Sequence, residues 1–166
     1  MSGYVDKGHV LEHIFLFNTP PRKEVLTCRC YHDAMARGDR TEKQKTGAVG
    51  ESIAEQFLKS KGYRIIMKNY RKPWGEIDII AEKEDSVRFV EVKTVSRESY
   101  IRSHRPEELV DVRKLRKVAR TAALYMESKR DKREFQLDVV GVIITDKNLR
   151  LAQCRLFEQA LEGNLQ

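Results

Sequence analysis

The most constraining feature of the sequence is an apolar run at residues 137–144, which only Asp138 and Gly141 interrupt. Such a run is typical of a β-strand buried on both faces, because an exposed face would show a polar residue at every second position. It is far shorter than the roughly 18 residues that a membrane-spanning helix needs. We therefore expect an α/β fold in which helices flank a β-sheet.

Periodicity in the rest of the chain predicts the element order αβββαββ. Apolar residues recur at helical spacing from Val49 to Leu58 and predict a first helix over residues 46–62, which ends at Gly62. A second helix begins near Pro106, and its apolar face runs from Val112 to Met126. The predicted strands are 63–70, 76–82, 87–94, 137–144 and 149–155.

The first part of the chain gives weaker signals. Residues 1–44 have little periodicity and contain a Pro20-Pro21 break, so we treat them as a poorly defined extension of one domain at 45–166. Every predicted element follows Met35, and we hypothesise that translation starts there. Cys28, Cys30 and His32 form a short cluster, but it lacks a nearby second pair of ligands, which favours reduced thiols over a zinc site.

Positive charge is concentrated around the second predicted helix. Residues 97–133 hold twelve Lys and Arg against six Asp and Glu, a net of +6 in a chain whose formal charge is +7. Local basic charge favours polyanions through counterion release, so this face predicts contacts to nucleic-acid phosphates. A solvated helix face is an equal alternative for each residue. The candidate contacts are Arg113, Lys114, Lys117 and Arg120.

Three ionic residues interrupt two neighbouring predicted strands. Strand alternation places Glu91 and Lys93 on one face, and it places Asp78 on the face opposite its two isoleucine neighbours. If the hairpin brings Asp78 beside Glu91, the carboxylates repel each other and require an ion pair, protonation or a bound cation. Mg²⁺ suits such a pair because it takes oxygen ligands. A solvated sheet face with a cross-strand salt bridge is the alternative interpretation.

The motif G-E-I-D at residues 75–78, followed by E-V-K at 91–93, resembles the PD-(D/E)xK signature of restriction-endonuclease-like nucleases. Ile77 stands where that signature has proline, and no basic residue follows Thr94. Over residues 46–151 the chain resembles the YraN-like endonuclease family, which is related to archaeal Holliday-junction resolvases. The supporting motifs are T-G-A-V-G-E at 46–51, G-Y at 62–63, N-Y-R at 69–71, F-V-E-V-K-T at 89–94 and D-V-V at 138–140.

The resemblance implies a restriction-endonuclease-like mixed β-sheet flanked by helices, and a metal-dependent endonuclease that acts on DNA, including branched or junction DNA. In this family Asp78 and Glu91 would bind Mg²⁺ or Mn²⁺, and Lys93 would orient or help to deprotonate the attacking water. Glu51 matches an additional acidic position, although an exposed helix carboxylate explains it as well. Arg71 joins the expected nucleic-acid contacts, and a homodimer would supply the two active sites that a resolvase needs.

Two other classes of function remain open on the sequence alone. One is a non-catalytic nucleic-acid-binding protein that keeps the nuclease fold, and the other is a protein whose basic helix docks on an acidic partner. Serine-nucleophile chemistry ranks low, because the chain has no G-x-S-x-G turn. Trp74 beside the proposed site either stacks on a base or anchors its turn, and the anchor is the preferred interpretation. We expect a cytoplasmic protein without a membrane segment or secretory signal.

Overall fold

The computed structural model describes residues 23–27, 41–101, 111–145 and 151–160. Cys28, Cys30, His32 and Pro106 lie outside these residues. The described elements follow the predicted order αβββαββ, with two additions that periodicity did not reveal, β1 and the short helix α2. The elements are β1 Lys23–Thr27, α1 Glu42–Ser60, β2 Arg64–Lys72, β3 Gly75–Lys83, β4 Ser86–Ser96, α2 Arg97–Ile101, α3 Val112–Lys129, β5 Phe135–Ile144 and β6 Leu151–Phe157.

The strands form one mixed sheet in the order β1-β6-β5-β4-β3-β2. The central pair, β4 and β5, is parallel, and the other pairs are antiparallel. Parallel neighbours need a long crossover, and α3 lies in the segment that connects them. Five of the strands belong to the predicted domain, and β1 adds an edge strand to them from within residues 1–44.

Two hydrophobic clusters cover the two faces of this sheet. One joins the apolar side of α1, including Ile53 and Phe57, to inward-facing residues such as Val140. The other joins α3, through residues such as Ala122, to the opposite face at Phe89. Every residue from 137 to 144 is buried, which confirms the prediction of a strand covered on both faces by helices.

Both long helices begin at positions that differ from those predicted. Helix α1 starts at Glu42 because Thr41 and Gln44 form a reciprocal capping box, in which each side chain accepts the other's backbone N–H. The polar sequence before Thr46 had concealed this extra turn. Helix α3 begins at Val112, later than the Pro106 start, because the side chain of Asp111 caps it by accepting the N–H of Arg113 at 2.9 Å.

None of the helices in the described part of the chain is long and apolar enough to cross a membrane.

Candidate functional site

The two strands that carry the predicted acidic residues part at the site. Backbone pairing between β3 and β4 ends at Ile79 and Val90, whereas β4 continues to pair with β5 as far as Ser96. Asp78 and Glu91 are the next residues along the two strands. There the Oδ2 atom of Asp78 accepts the backbone N–H of Val92 at 2.8 Å, in place of a main-chain partner. The structure therefore brings Asp78 next to the strand segment that carries Glu91.

Simple alternation predicted that both isoleucine neighbours of Asp78 lie on one face of the sheet, and this part of the prediction is wrong. Ile77 packs with the α3 cluster, whereas Ile79 packs with the α1 cluster, so the two isoleucines do not share a face. The β2 residue that lies between the partners of these isoleucines is Asn69, and its backbone is left-handed with φ 52°. A left-handed residue breaks the period-two alternation, and Asn tolerates this conformation better than most residues. Beyond this point the end of the β2–β3 hairpin packs on α3, where Ile77 and Tyr70 join the α3 cluster.

Glu91 lies at the centre of a group of charges and is almost completely buried, with 1% of its surface exposed. Its Oε1 atom is 2.9 Å from the Nζ atom of Lys93 and 2.8 Å from that of Lys114. Among the described residues, its Oε2 atom has no hydrogen-bond partner. A buried carboxylate oxygen without a partner is costly and points to a ligand or an ordered solvent molecule at this position.

Electrostatics confirm that Asp78 shares this environment. Burial, together with the negative charge of Glu91, raises the pKa of Asp78 from 3.8 to about 7, although the bond from Val92 and the charge of Lys114 oppose the rise. Burial by itself lowers the pKa of Lys114, but the bond to Glu91 and the charges of Asp78 and Glu76 raise it overall. Burial is the largest cause of the raised pKa of Asp78, because it penalises the ionised carboxylate.

The residues present fit a hard divalent cation. Mg²⁺ is commonly held by one or two carboxylates and several waters, and the unpartnered Oε2 atom of Glu91 beside Asp78 offers such a pair. Within residues 41–101, 111–145 and the other described segments, no group of three or more His, Cys, Asp or Glu side chains is arranged to hold a metal. The two carboxylates would therefore be the protein's contribution, and water or a phosphate oxygen would complete the coordination.

Glu51 lies on α1, half-buried and outside this contact network. Its charge contributes to the raised pKa of Asp78, but it makes no hydrogen bond or ion pair with any residue that the structure describes. The preceding residue, Gly50, explains how α1 comes so close. A Cβ atom at Gly50 would lie 1.8 Å from the Oγ1 atom of Thr94, so only glycine lets the helix rest on β4 at this point.

All five residues predicted to contact nucleic acid line one cavity of about 880 Å³ beside the carboxylates. This basic cavity is formed by the turn between β2 and β3 and by the first half of α3. Two carboxylates, Glu76 and Asp111, also line it, together with Trp74. The cations that line it are Arg71, Lys72, Arg113, Lys114, Lys117 and Arg120.

Two residues have roles that the sequence did not reveal. Lys114, predicted as a phosphate contact, also lies against Glu91 and so connects the basic cavity to the buried acids. Glu76 links the cavity further, because its carboxylate is 3.7 Å from Lys114 and 4.0 Å from Arg71. The available signal for Lys114 was its position on the border of the apolar helix face, where a long side chain can reach inward.

The chain is similar to proteins of one family. A family model described as "Uncharacterised protein family UPF0102" matches residues 50–142. A "UPF0102 protein" of Syntrophomonas wolfei is 40% identical over 104 residues, which cover 62% of this chain and 88% of the relative. Another, from Alkaliphilus oremlandii, is 40% identical over 111 residues, or 65% of this chain and 92% of the relative. A third, from Clostridium botulinum, is 43% identical over 104 residues, which cover 61% of this chain and 82% of the relative.

Proposed function

We propose, from the premise that the chain belongs to the UPF0102 family, that it is a metal-dependent nuclease that hydrolyses phosphodiester bonds in DNA. The proposal includes a restriction-endonuclease-like arrangement of the sheet, in which the acidic residues lie where two strands part. The resemblance of the sequence to YraN-like endonucleases supports it independently of the geometry. Its finer part, a preference for branched or junction DNA, rests on that resemblance alone.

The observation that carries the proposal is that a buried pair of carboxylates lies next to a cavity lined mainly by cations. On one side are the buried carboxylates of Asp78 and Glu91, the latter with an unpartnered oxygen. On the other side is a cavity in which six cations outnumber two carboxylates. A polyanion held in such a cavity would present a phosphate to the carboxylate pair, and a phosphodiester is the ligand that needs both environments.

Each residue then has a definite part in hydrolysis. Asp78 and Glu91 would hold Mg²⁺, which when bound would stabilise charge on the phosphate and lower the pKa of a coordinated water. Lys93, whose Nζ atom is 2.9 Å from Glu91, is fixed at the edge of the pair, where it can orient the attacking water and stabilise the charge that develops. Arg113, Lys117 and Arg120 are exposed and would bind flanking phosphates.

The test is a cleavage assay with labelled linear, single-stranded and four-way-junction DNA in Mg²⁺ and in Mn²⁺. We expect Asp78→Asn, Glu91→Gln and Lys93→Met each to lower the cleavage rate by about a hundredfold or more, because each removes a charge at the reacting phosphate. Asp85→Asn is the matched control, since Asp85 is an exposed carboxylate at the opposite end of the same hairpin.

One observation favours a second candidate, a nucleic-acid-binding protein without cleavage. Lys93 and Lys114 already give Glu91 two ammonium neighbours, and these can balance its charge without a metal. In that case every DNA form would remain intact in both metals, while DNA binding would persist in Asp78→Asn and weaken in Lys117→Gln. Metal-dependent cleavage that Asp78→Asn abolishes would exclude this candidate.

A further inference from the structure

The turn between β2 and β3 presents an indole ring to the basic cavity. Trp74 is the only tryptophan of the chain, and 47% of its surface is exposed. A hydrophobic anchor would be buried, so this exposure argues against the role that the sequence favoured for it. The other large apolar side chains exposed in the described segments, Met67 and Ile101, do not line the cavity.

The turn that carries Trp74 packs against α3. A Cβ atom at Gly75 would lie 2.2 Å from the Oγ1 atom of Thr121, so the end of the hairpin rests directly on α3. Four residues before Trp74, the ring of Tyr70 packs edge-on against Tyr125, with 5.3 Å between the centroids. Both contacts fix the ends of the turn against α3, so the segment that carries the indole is in place before any ligand binds, which lowers the entropic cost of using it.

The surroundings of the ring match the chemistry of an unpaired nucleotide. Arg71 and Lys72 precede the turn, and Lys117 faces it from α3 as another cation of the same cavity. An aromatic face beside a track of cations is the arrangement by which proteins bind single strands, because the cations follow the phosphates while the bases stack on the ring. Paired bases inside a duplex cannot stack on an outside ring without being extruded.

The turn that carries the ring is also close to the proposed reaction centre. Glu76, two residues after Trp74, has its carboxylate 3.7 Å from the Nζ atom of Lys114, and that same Nζ atom is 2.8 Å from Glu91. A base on the indole would therefore belong to a nucleotide near the phosphate at Asp78 and Glu91.

We propose that Trp74 is a stacking platform for an unpaired base, so that the ligand of the basic cavity is nucleic acid with a single-stranded segment beside the bound phosphate. This inference rests on the proposed function for its link to cleavage. Binding itself can be tested without cleavage.

The first measurement uses the fluorescence of Trp74, which is specific because the chain has no other tryptophan. In EDTA the protein is titrated with a single-stranded oligonucleotide, a duplex of the same length, and a strand of the same length with abasic sugars throughout. Stacking predicts strong quenching by the single strand and little by the other two. Equal quenching by all three, or none by the single strand, would overturn the proposal.

The second measurement compares affinities of variants for the same three ligands. We expect Trp74→Ala to bind the single strand about tenfold more weakly while its affinity for the duplex and the abasic strand is unchanged, and Trp74→Phe to recover most of the loss. Met67→Ala is the control, because Met67 is an exposed apolar residue of the same hairpin that lies outside the cavity. An equal loss for all three ligands, together with a lower melting temperature, would identify Trp74 as an anchor and refute stacking.

These outcomes are separate from those of the cleavage assay. A protein that cuts no DNA but shows the selective quenching would retain the stacking platform and lose the nuclease proposal. A protein that cuts duplex DNA, with a rate unaffected by Trp74→Ala and without selective quenching, would retain the nuclease and lose the platform.

Discussion

Asp78 is a carboxyl group whose charge the folded chain opposes. Burial and Glu91 raise its pKa from 3.8 to about 7, so in the absence of metal the folded protein holds this proton more tightly than the unfolded chain does. The group's contribution to the free energy of unfolding therefore falls as the pH rises from about 4 to about 7. Sites that bind cations commonly lower the stability of the folded protein in this way. The repulsion between carboxylates that destabilises the empty site is relieved when a cation binds, which strengthens its binding.

The resulting prediction concerns Asp78→Asn, which removes the charge while keeping an oxygen that can accept the N–H of Val92. In EDTA the variant should unfold at higher urea concentration than the unmodified chain, with a gain of about 1 to 3 kcal/mol at about pH 8 and almost none at about pH 4. Asp85→Asn, a change at an exposed residue, should show no such dependence on pH. A loss of stability at about pH 8, or an equal gain at both pH values, would contradict this account.

At the scale of elements, Gly50 controls how closely α1 approaches β4. We predict that Gly50→Ala destabilises the protein by about 1 to 3 kcal/mol, because the new Cβ atom would lie 1.8 Å from the Oγ1 atom of Thr94. Gly47→Ala in the same helix is a matched control, since its Cβ atom meets nothing within 4 Å, and it should stabilise by about 0.5 to 1 kcal/mol. Urea unfolding measures both.

A double-mutant cycle identifies the contact responsible. Thr94→Ala removes the Oγ1 and Cγ2 atoms that a Cβ atom at Gly50 would meet, so the loss caused by Gly50→Ala should be smaller in the Thr94→Ala background. Strictly additive effects would show that the Oγ1 and Cγ2 atoms do not cause the cost, since the Cβ atom of Thr94, 2.8 Å from the position of the new Cβ atom, remains in both backgrounds.

The elements themselves could largely be predicted from the sequence, because each long one has a clear period. The almost wholly apolar stretch at residues 137–144 predicted the central strand, and the spacing of apolar residues predicted both long helices. The beginnings of the helices were less accurate, since a capping box such as that of Thr41 and Gln44 is a local hydrogen-bond arrangement that hydrophobic spacing does not report. Strand β1 was missed because its stability comes from pairing with β6, far away in sequence.

The candidate site could be predicted only in part. The sequence placed Asp78, Glu91 and Lys93 on adjacent strands, which the structure shows, but alternation wrongly placed Ile77 and Ile79 on one face, because Asn69 of the paired strand interrupts the regular pleat. The ion pair between Lys114 and Glu91 joins a helix to a strand across the fold, and only tertiary packing decides it. The roles of Asp78, Glu91 and Lys93 in metal binding and catalysis stay predictions.

For the whole molecule, we expect DNA affinity to depend less on the net charge of +7 than on the cations that line the basic cavity. We predict that changing Lys117 and Arg120 together to Gln weakens DNA binding and reduces the slope of log affinity against log salt concentration by about 2, if each cation binds one phosphate. Affinity should be measured by fluorescence anisotropy in EDTA over a range of salt concentrations.

The control removes equal charge from α3 outside the cavity. Arg116 and Lys129 are exposed residues of the same helix that do not line the basic cavity, and changing both to Gln should leave the slope nearly unchanged. If both double variants lower the slope equally, DNA responds to total charge rather than to this cavity.

The two ammonium groups against Glu91 have a consequence for how the site would change state. Because Lys93 and Lys114 already lie against one oxygen of Glu91, a metal bound at the proposed site would join these two cations or displace one of them. Of the two, Lys114 belongs to the helix that lines the basic cavity. If the metal displaced Lys114, that side chain would become available to a phosphate in the basic cavity, and metal and nucleic acid would then favour each other's binding.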